Sequence, residues 1–371
     1  MAAPRVLVLN AGSSSLKWLV LDALSEGILQ QGGATWDGTE GGRHPVELAS
    51  ALNEVGDVQA VGHRVVHGGS RFQQAVRVDE QVRRGIDELV ELAPLHNPAA
   101  VAGIDAASAR FGPEVPQVAA FDTAFHASLP APAATYPLPW DWTNRWNLRR
   151  FGFHGLSVQY AVGRATELLG ARPSRLVVCH LGAGCSATAV LDGQSVETSM
   201  GFTPLEGLMM VRRSGSVDPG LLLYLLSHQG LSPAELNRGL NEQAGLAGVS
   251  GVSADLREVL AAVDRGDERS RLAVQLFVHR VVSTVGGLVA ILGGLDALVF
   301  TGGIGEHSPL VRANVAGALS FLGLRLEPAA NAAVSADVDI AVPDSAVRVL
   351  VITAREDLAV LREVRRVLGW A

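Results

Sequence analysis

Short apolar runs alternate along the chain with segments whose apolar residues recur at helical spacing. The run 6–9 has the length of a buried strand, and the run 16–21 follows it after a turn of small and hydroxyl-bearing residues. By the same patterns we predict further strands at 58–66, 115–121, 176–180, 187–191, 295–300 and 347–352, and helices at 80–93, 99–109, 157–169, 219–228, 232–240, 255–264, 270–292, from 309 and at 356–368. This alternation of strands and helices predicts an α/β protein.

The opening strand–turn–strand unit has a counterpart in the second half of the chain. The turn 11–14 (Ala-Gly-Ser-Ser) matches 183–186 (Ala-Gly-Cys-Ser), and each turn lies between two predicted strands. This repetition predicts an internal duplication, with two similar α/β domains that face a cleft. The length of 371 residues agrees with two domains, and the Pro- and Trp-rich stretch 129–147 is the candidate junction.

Composition excludes several classes of protein. The chain carries 30 basic and 37 acidic residues, and its net charge of −7 provides no global attraction to nucleic acid or to an anionic membrane. Its two cysteines, Cys179 and Cys185, are too few for a disulfide framework, which favours a reducing compartment. The apolar stretch 281–300 is interrupted by glycines and Asp296, as in a buried helix followed by a strand rather than a membrane span. We therefore expect a cytoplasmic protein without a nucleic-acid or membrane partner.

Three glycine-rich turns follow predicted strands, at 10–15, 182–186 and 302–306. Glycine lets backbone N–H groups approach phosphate oxygens closely, and neighbouring hydroxyls add donors. Lys17, the only lysine in the chain, lies two residues after the first turn. None of the turns is a Walker loop or a complete Rossmann fingerprint, and one such turn is common in any α/β protein. Three of them together favour nucleotide binding.

Cationic side chains near predicted strand ends are candidates for holding an anion. Arg64 lies among small residues at the end of one strand, and Arg213 lies in a Gly- and Pro-rich loop; the structural alternative for either is a solvated surface. His63, His67 and His154 lie in similar places. They could contact the anion or could be histidines packed in the core.

Carboxylates are needed as well if the anion is a phosphate that is transferred. Phosphoryl transfer requires Mg²⁺ and at least one carboxylate to place the ion or its water. Asp122, Asp218 and Glu356 are candidates for this role. The structural alternative for a single Asp is a helix N-cap. No HExxH motif or pair of CxxC motifs indicates a structural metal.

Several longer motifs carry a resemblance to a known family. They are 10–17 (Asn-Ala-Gly-Ser-Ser-Ser-Leu-Lys), 62–69 (Gly-His-Arg-Val-Val-His-Gly-Gly), 93–98 (Ala-Pro-Leu-His-Asn-Pro), 121–126 (Phe-Asp-Thr-Ala-Phe-His), 151–155 (Phe-Gly-Phe-His-Gly), 197–207 (Glu-Thr-Ser-Met-Gly-Phe-Thr-Pro-Leu-Glu-Gly) and 300–306 (Phe-Thr-Gly-Gly-Ile-Gly-Glu). In this order they resemble the acetokinase family of the sugar kinase, Hsp70 and actin fold superfamily, over nearly the whole chain. The resemblance implies duplicated actin-like ATPase domains of the ribonuclease H-like type that face an interdomain cleft. The N-terminal acetokinase domain would be residues 1–147 with a closing helix at about 356–371, and the C-terminal nucleotide-binding domain would be residues 148–355.

The resemblance also implies a reaction, which is reversible, Mg²⁺-dependent phosphoryl transfer from ATP to acetate by direct in-line transfer, giving acetyl phosphate and ADP. Mn²⁺ is the alternative metal, and the implied assembly is a homodimer. Carried over position by position, the implied catalytic residues are Asp122, His154 and Arg213, and the implied metal ligands are Asn10 and Glu356. Arg64 would bind the carboxylate, and Val66, Leu95, Phe153 and Pro204 would form the apolar pocket for the methyl group. The implied ATP-binding residues are Ser13, Ser15, Lys17, His180, Leu181, Gly182, Ala183, Gly184, Asp255, Leu256, Arg257, Gly303, Ile304, Gly305, Glu306 and His307.

One of these roles can be refined from chemistry. A carboxylate nucleophile has an unperturbed pKa near ~4, so it is already ionised at neutral pH and needs no general base. We therefore expect Asp122 to orient Mg²⁺ or its waters. We expect Arg64, His154 and Arg213 to offset the repulsion between the two reacting anions.

The chain departs from the family pattern in three places, and three other functions remain open. Ala183 and His307 each replace an Asn, and 353–357 reads Thr-Ala-Arg-Glu-Asp where the family has Thr-Asn-Glu-Glu, which leaves Asp357 as an alternative metal ligand to Glu356.

The first alternative function is a propionate or other short-chain acyl kinase of the same family. The second is a non-catalytic or chaperone-like ATPase of the superfamily, and the third is a degenerate homologue with little activity.

Overall fold

The computed structural model describes residues 3–12, 15–35, 44–94, 96–335 and 337–370. The chain divides into two compact units. The first comprises Met1–Ala127, Phe153–Tyr160 and Arg355–Ala371, and the second comprises Ser128–Gly152 and Ala161–Ala354. Residues 128–147, which the resemblance places in the N-terminal domain, lie in the second unit, and residues 153–160, which it places in the C-terminal domain, lie in the first.

Strands and helices alternate as the apolar pattern predicts. The strands are β1 (Arg5–Ala11), β2 (Ser15–Asp22), β3 (Ile28–Thr35), β4 (Ala60–Val65), β5 (Val76–Arg77), β6 (Gln117–Phe121), β7 (Arg175–Leu181), β8 (Cys185–Leu191), β9 (Gln194–Thr198), β10 (Ala297–Thr301), β11 (Val338–Asp339) and β12 (Arg348–Val351). The helices are α1 (Pro45–Asn53), α2 (Glu80–Glu88), α3 (Asn97–Phe111), α4 (Ala131–Ala134), α5 (Trp140–Trp146), α6 (Gly155–Leu169), α7 (Pro219–His228), α8 (Pro233–Glu242), α9 (Gly245–Ser250), α10 (Leu256–Asp264), α11 (Glu268–Leu292), α12 (Gly302–His307), α13 (Pro309–Ala318), α14 (Pro328–Ala332) and α15 (Glu356–Leu368). Short 3-10 helices occur at Leu89–Leu92, Ala124–His126 and Ser320–Leu322.

The first unit is built on a six-stranded sheet of order β3-β2-β1-β4-β6-β5. Strands β1, β2 and β3 form an antiparallel meander, β4 and β6 continue from β1 as parallel strands, and β5 is antiparallel at the edge. The inner strands are almost continuously buried, as is typical of parallel strands covered by helices on both faces.

The two faces of the first sheet are covered by different helices. Leu7, Leu9 and Val61 join a core cluster with residues of α1 and α3. Gly62 points to the opposite face, where an added Cβ would lie 2.6 Å from Val360 and 2.8 Å from Val364. Both valines belong to α15, so the absence of a side chain at Gly62 lets this helix pack closely on the sheet.

The second unit repeats the same architecture. Its sheet has the order β11-β12-β10-β7-β8-β9, in which β7, β8 and β9 form the meander, β10 and β12 are the parallel strands and β11 is antiparallel at the edge. When the strands of each sheet are renumbered in chain order and the second sheet is read from β9 to β11, both sheets have the same strand order. The duplicated α/β fold that the repeated turn predicts is therefore confirmed.

Helix α11 packs in the second unit against α9 and β8. By length and composition it could cross a membrane, with a mean hydropathy of 1.6, and 33% of its most apolar window is buried inside the unit. Phe277, Val281 and Val285 are fully buried along one face. This packing agrees with the prediction of a core helix in the apolar stretch that begins at 281.

Candidate active site

Polar side chains converge at one edge of the first sheet. Asn10 lies near the end of β1, Arg64 lies near the end of β4, and Asp122 directly follows β6. Because these strands are parallel, their carboxyl ends meet at the same edge, where open α/β sheets place their ligands. Glu356 joins them from the first turn of α15.

Arg64 contacts the three other side chains of this group. Its Nε donates to Asp122 Oδ1 at 3.1 Å and its Nη2 donates to Oδ2 at 2.6 Å, which makes a bidentate pair. Its Nη1 donates to Asn10 Oδ1 at 3.2 Å and lies 3.3 Å from Glu356 Oε2. We call Asn10, Arg64, Asp122 and Glu356 the Arg64 cluster. Burial by itself lowers the pKa of Arg64, but the charges of Asp122 and Glu356 outweigh it and raise this pKa above its ordinary value, so the guanidinium stays cationic.

Asp122 and His154 are held together through Gly155. The Gly155 N–H donates to the Asp122 carbonyl oxygen at 2.8 Å, and a Cβ at this glycine would lie 2.2 Å from that oxygen. His154 has a left-handed backbone with φ of 60°, a conformation that non-glycine residues adopt at an energetic cost. The start of α6 therefore places the backbone of the half-buried His154 next to that of Asp122, the buried carboxylate of the Arg64 cluster.

His63 and His126, which belong to the motifs 62–69 and 121–126, are both buried in the core. His63 is buried and hydrogen-bonds Gln117 at 2.7 Å, and burial lowers its pKa to about 4. His126 is also buried, contacts the Phe153 carbonyl at 2.9 Å and has its pKa lowered to about 4 by burial. Both are neutral core histidines at physiological pH, which is the structural alternative considered for His63.

The four residues predicted to form the apolar pocket do not all lie in the first unit. Phe153 is buried there, with its ring 5.3 Å from that of His67, and Val66 is half-buried just after β4. Leu95 lies outside the described residues. Pro204 belongs to the second unit, where its carbonyl accepts a hydrogen bond from Arg213 Nη1 at 3.3 Å.

Lys17 lies directly across from Asn10 in the β1–β2 pairing, so both side chains point to the same face of the sheet. Its side chain is exposed and has no ion-pair partner among the described residues. Ser15 begins β2 next to it, and its carbonyl accepts a hydrogen bond from Gly12 at 2.8 Å. Ser13 lies outside the described residues.

The second unit contains a cavity of about 770 Å³ that brings together parts of the segments 180–184, 255–257 and 303–307, which the resemblance assigns to nucleotide binding. It is lined by Gly182, Ala183, Val211, Ala254, Asp255, Leu256, Arg257, Leu260, Gly303, Ile304, His307, Ser308, Pro309 and Leu310. Of the predicted ATP-binding residues in this unit, His180, Leu181, Gly184, Gly305 and Glu306 do not line the cavity. Glu306 instead accepts a hydrogen bond from the Ala354 N–H at 2.9 Å.

Asp255 and Arg257 form one polar wall of this cavity. Asp255 caps α10 by accepting from the Arg257 N–H at 2.8 Å, and it also pairs with the Arg257 guanidinium. The hydrogen bonds from Arg257 lower the pKa of Asp255 to about 2. Asp218, a candidate metal ligand, likewise caps α7 through the Gly220 N–H, so the structural alternative describes it.

Sequence reasoning missed the residue that holds the third glycine-rich turn, at 302–306. Arg312 is 1% exposed and donates to the carbonyls of Gly305 at 2.8 Å and Glu306 at 2.6 Å. It also donates to Asn331 Oδ1 at 2.8 Å and to the Asn331 carbonyl at 2.6 Å. This buried cation fixes the carboxyl end of α12, where it also faces the negative end of the helix dipole. No local pattern indicates this role, because its partner Asn331 lies 19 positions away.

A second missed group holds the loop that carries Pro204 and Arg213. Arg150 donates to Glu206 Oε1 at 2.9 Å and to the Met200 carbonyl at 3.0 Å, and Tyr136 hydrogen-bonds the same Glu206 carboxylate. Arg213 itself has no carboxylate partner among the described residues, and burial lowers its pKa. The loop therefore presents a partly buried cation whose charge is not neutralised by a neighbouring acid.

The duplicated strand order, a cavity lined by two glycine-rich turns in one unit and a cation–carboxylate cluster in the other are those of a kinase with the actin-like ATPase fold. The model of the acetokinase family matches residues 44–362, and the chain belongs to that family. An acetate kinase of Gloeobacter violaceus is 50% identical over 309 residues, which are 83% of this chain and 76% of that relative. An acetate kinase of Cyanothece sp. is 43% identical and covers 97% of both chains.

Solved structures give the same result. The crystal structure of Porphyromonas gingivalis acetate kinase has a TM-score of 0.93 at 36% identity and covers 99% of this chain and 100% of its own. A propionate kinase from Francisella tularensis has a TM-score of 0.88 at 36% identity and covers 97% of this chain and 98% of its own. The family assignment confirms the resemblance that the motifs carry. The names of these relatives refer to acetate and propionate, which are both short carboxylates.

Proposed function

We propose that this chain is an acetate kinase that transfers the terminal phosphoryl group of ATP to acetate and reverses this reaction from acetyl phosphate and ADP. The observation that carries the proposal is the Arg64 cluster, which sets a guanidinium among oxygen ligands at the carboxyl edge of the first sheet. Membership of the acetokinase family supports the same substrates.

The donor set of the Arg64 cluster suits Mg²⁺. It offers two carboxylates and one amide oxygen, and Mg²⁺ is usually held by one or two carboxylates together with substrate phosphates. Among the described residues no group of three His, Cys, Asp or Glu side chains offers a different metal site. We assign Asn10 and Glu356 as the metal ligands, with Mn²⁺ as an alternative ion, and Asp122 as the group that orients the ion or its waters. When bound, the ion neutralises charge on the phosphates.

The remaining roles follow from charge and position. Arg64 binds the acetate carboxylate, while Lys17, which lacks an ion-pair partner among the described residues, reaches the phosphates. His154 and Arg213 stabilise the transferred phosphoryl group, whose charge is spread over its equatorial oxygens. Because acetate is already ionised near neutral pH, no residue has to remove a proton before the attack.

The cavity of the second unit is proposed to bind the nucleotide. Its turns at Gly182 and Gly303 would contact phosphates, because a glycine has no Cβ that would keep its backbone from a phosphate oxygen. Leu256, Leu260 and Leu310 give the cavity an apolar side that suits a nucleobase. Ala183, also in the lining, supplies no side-chain amide.

A hydroxamate assay with acetate, ATP and Mg²⁺ tests the proposal, since acetyl phosphate formed in the reaction is trapped as the hydroxamate. Activity that requires all three components supports it, and hydrolysis of ATP without acetyl phosphate contradicts it. Asp122→Asn tests the assigned role of this carboxylate. We expect a large loss of activity together with a changed Mg²⁺ requirement, and a large loss with an unchanged requirement would count against the role.

Propionate is the second candidate substrate, because a propionate kinase is among the similar structures. The added methylene must fit beside Phe153, whose buried ring limits the room in the first unit. The values of kcat/KM for acetate, propionate and butyrate show which carboxylate this chain prefers as its substrate. A pocket that discriminates by one methylene separates two of these substrates by ~1–3 kcal/mol.

We further propose a cytoplasmic homodimer that assembles through the second unit. Helix α7 has no buried residue, and Leu221, Leu223 and Tyr224 on it are 46%, 65% and 49% exposed. Exposed apolar patches of this kind are typical of interfaces between protein chains. Light scattering of the wild type and of Leu223→Asp tests this, and a monomeric wild type would contradict it.

A further inference from the structure

The guanidinium that is proposed to bind the substrate carboxylate already binds two carboxylates of the protein. Asp122 is 1% exposed and takes two of the Arg64 donors, and Glu356 lies 3.3 Å from a third nitrogen. The same nitrogen donates to Asn10. Arg64 itself is 19% exposed, so little of its donor surface faces solvent.

The charges of this cluster do not favour an incoming anion. One guanidinium and two carboxylates give the Arg64 cluster a formal charge of −1. Because the cluster is largely shielded from water, repulsion between its carboxylates and a third carboxylate is only weakly screened by salt. A bound divalent cation would change the formal charge to +1. Asn10 and Glu356 would hold the ion and Asp122 would orient it or its waters, which would free donors of Arg64 for the substrate carboxylate.

We propose that Arg64 is masked in the metal-free protein by the same side chains that would hold the metal, so that acetate binds appreciably only after the metal. This inference rests on the proposed function, since it uses the assigned roles of Arg64 and of the metal ligands. By linkage, acetate must strengthen metal binding by the same factor by which the metal strengthens acetate binding. The coupling is a property of the first unit alone and needs no nucleotide.

The chain offers a matched control one residue from Glu356. Asp357, the alternative metal ligand, lies in the same first turn of α15, but its carboxylate pairs with Arg355, with distances of 3.0 Å and 2.7 Å to two of that guanidinium's nitrogens. Glu356, which lies against Arg64, is therefore the ligand that we assign, and Asp357 serves as the control. Asp357→Asn therefore removes a charge of the same sign from the same turn without changing the partners of Arg64. Asp122→Asn keeps the shape of the side chain but removes the charge that masks Arg64.

The experiment measures binding of radiolabelled acetate to the full chain by equilibrium dialysis, without nucleotide, in EDTA and in MgCl₂. We expect Mg²⁺ to tighten acetate binding to the wild type by about tenfold or more, which corresponds to about 1.4 kcal/mol. In EDTA, Asp122→Asn should bind acetate about tenfold more tightly than the wild type does, although it is expected to be catalytically impaired. Asp357→Asn should behave like the wild type in both solutions.

Two results would overturn the inference. One is a wild-type acetate affinity that is the same in EDTA and in MgCl₂, and the other is an Asp122→Asn affinity in EDTA that is no tighter than that of the wild type. Glu356→Gln provides a second variant if Asp122→Asn does not fold, and it should also bind acetate more tightly in EDTA. The hydroxamate assay on the wild type separates the two levels of failure. An active enzyme without metal-dependent acetate binding refutes only the masking of Arg64, whereas an inactive one refutes the proposed function.

Discussion

Replacing Arg312 tests how the nucleotide cavity of the second unit is held in shape. The guanidinium donates four hydrogen bonds, to the carbonyls of Gly305, Glu306 and Asn331 and to Asn331 Oδ1. Arg312→Met leaves these four buried acceptors without their donor. Each buried acceptor that loses its partner costs about 1–3 kcal/mol.

Arg312→Lys is expected to recover part of this loss. The ammonium keeps the charge at the carboxyl end of α12, but it does not reproduce the planar fork that reaches Asn331 and the two carbonyls together. For a unit of this size, each kcal/mol corresponds to about 2–4 °C in Tm. One orphaned acceptor corresponds to a fall in Tm of roughly 2–12 °C. We therefore expect Arg312→Met to lower Tm by at least this amount and Arg312→Lys to lower it less.

The kinetic assay separates a local effect from general loss of stability. Gly303, Ile304 and His307, on the helix that Arg312 holds, line the nucleotide cavity. Well below the Tm of each variant, KM for ATP should rise at least several-fold while KM for acetate changes little. Arg271→Met is the matched control, because Arg271 is 46% exposed and its one ion-pair partner within the described part of the chain is the exposed Glu268. An Arg312→Lys enzyme with normal Tm and normal KM for ATP would refute the reasoning.

Three further predictions concern single side chains. His63 has a folded pKa of about 4, below the unfolded value of about 6.5, so the unfolded chain binds the extra proton and stability falls as the pH drops through this window. At about pH 5 the free energy of unfolding is lower by roughly 2 kcal/mol because of His63. The Tm of His63→Gln should therefore decline less than that of the wild type between about pH 7.5 and pH 5. Equal declines in the two proteins would contradict this. Gly155→Ala places a Cβ 2.2 Å from the Asp122 carbonyl, so kcat should fall by about tenfold or more as Asp122 and His154 shift, and an unchanged kcat would show that the packing is not needed. Ala183→Asn should raise kcat/KM for ATP by adding an amide donor to the cavity, whereas no gain would mean that the backbone of this turn suffices.

The pattern of apolar runs along the chain predicted the inner strands of both sheets, because those strands are buried on both faces. The runs 6–9 and 295–300 became β1 and β10 with shifts of one or two residues. Strand β9 was missed, since Gln194–Thr198 is polar and lies at the sheet edge, where burial imposes little pattern. Helix α12 was also missed, because Gly302–His307 has the local composition of a turn.

The candidate site was predictable in its residues but not in its contacts. Arg64 and Asp122 were chosen because each lies at the end of an apolar run, and parallel strands do bring them to one edge of the sheet. Their bidentate pairing joins positions 58 apart, and no sequence periodicity encodes a contact of that separation. The role of Arg312 depends in the same way on tertiary contacts, with Asn331 as its partner. Such contacts arise from the packing of complete elements, which a local pattern does not describe.

The course of the chain has a consequence for synthesis on the ribosome. The first sheet is complete in sequence at Phe121, but the helix that covers one of its faces, α15, begins only at Glu356. Val360, Leu361 and Val364 of this helix are at most 1% exposed. At translation rates of about 5–20 residues per second, α15 is synthesised on the order of ten to fifty seconds after the sheet, and that face stays uncovered until then. Nascent chains of this protein therefore expose an apolar surface during most of their synthesis, and chaperones have that interval in which to bind it.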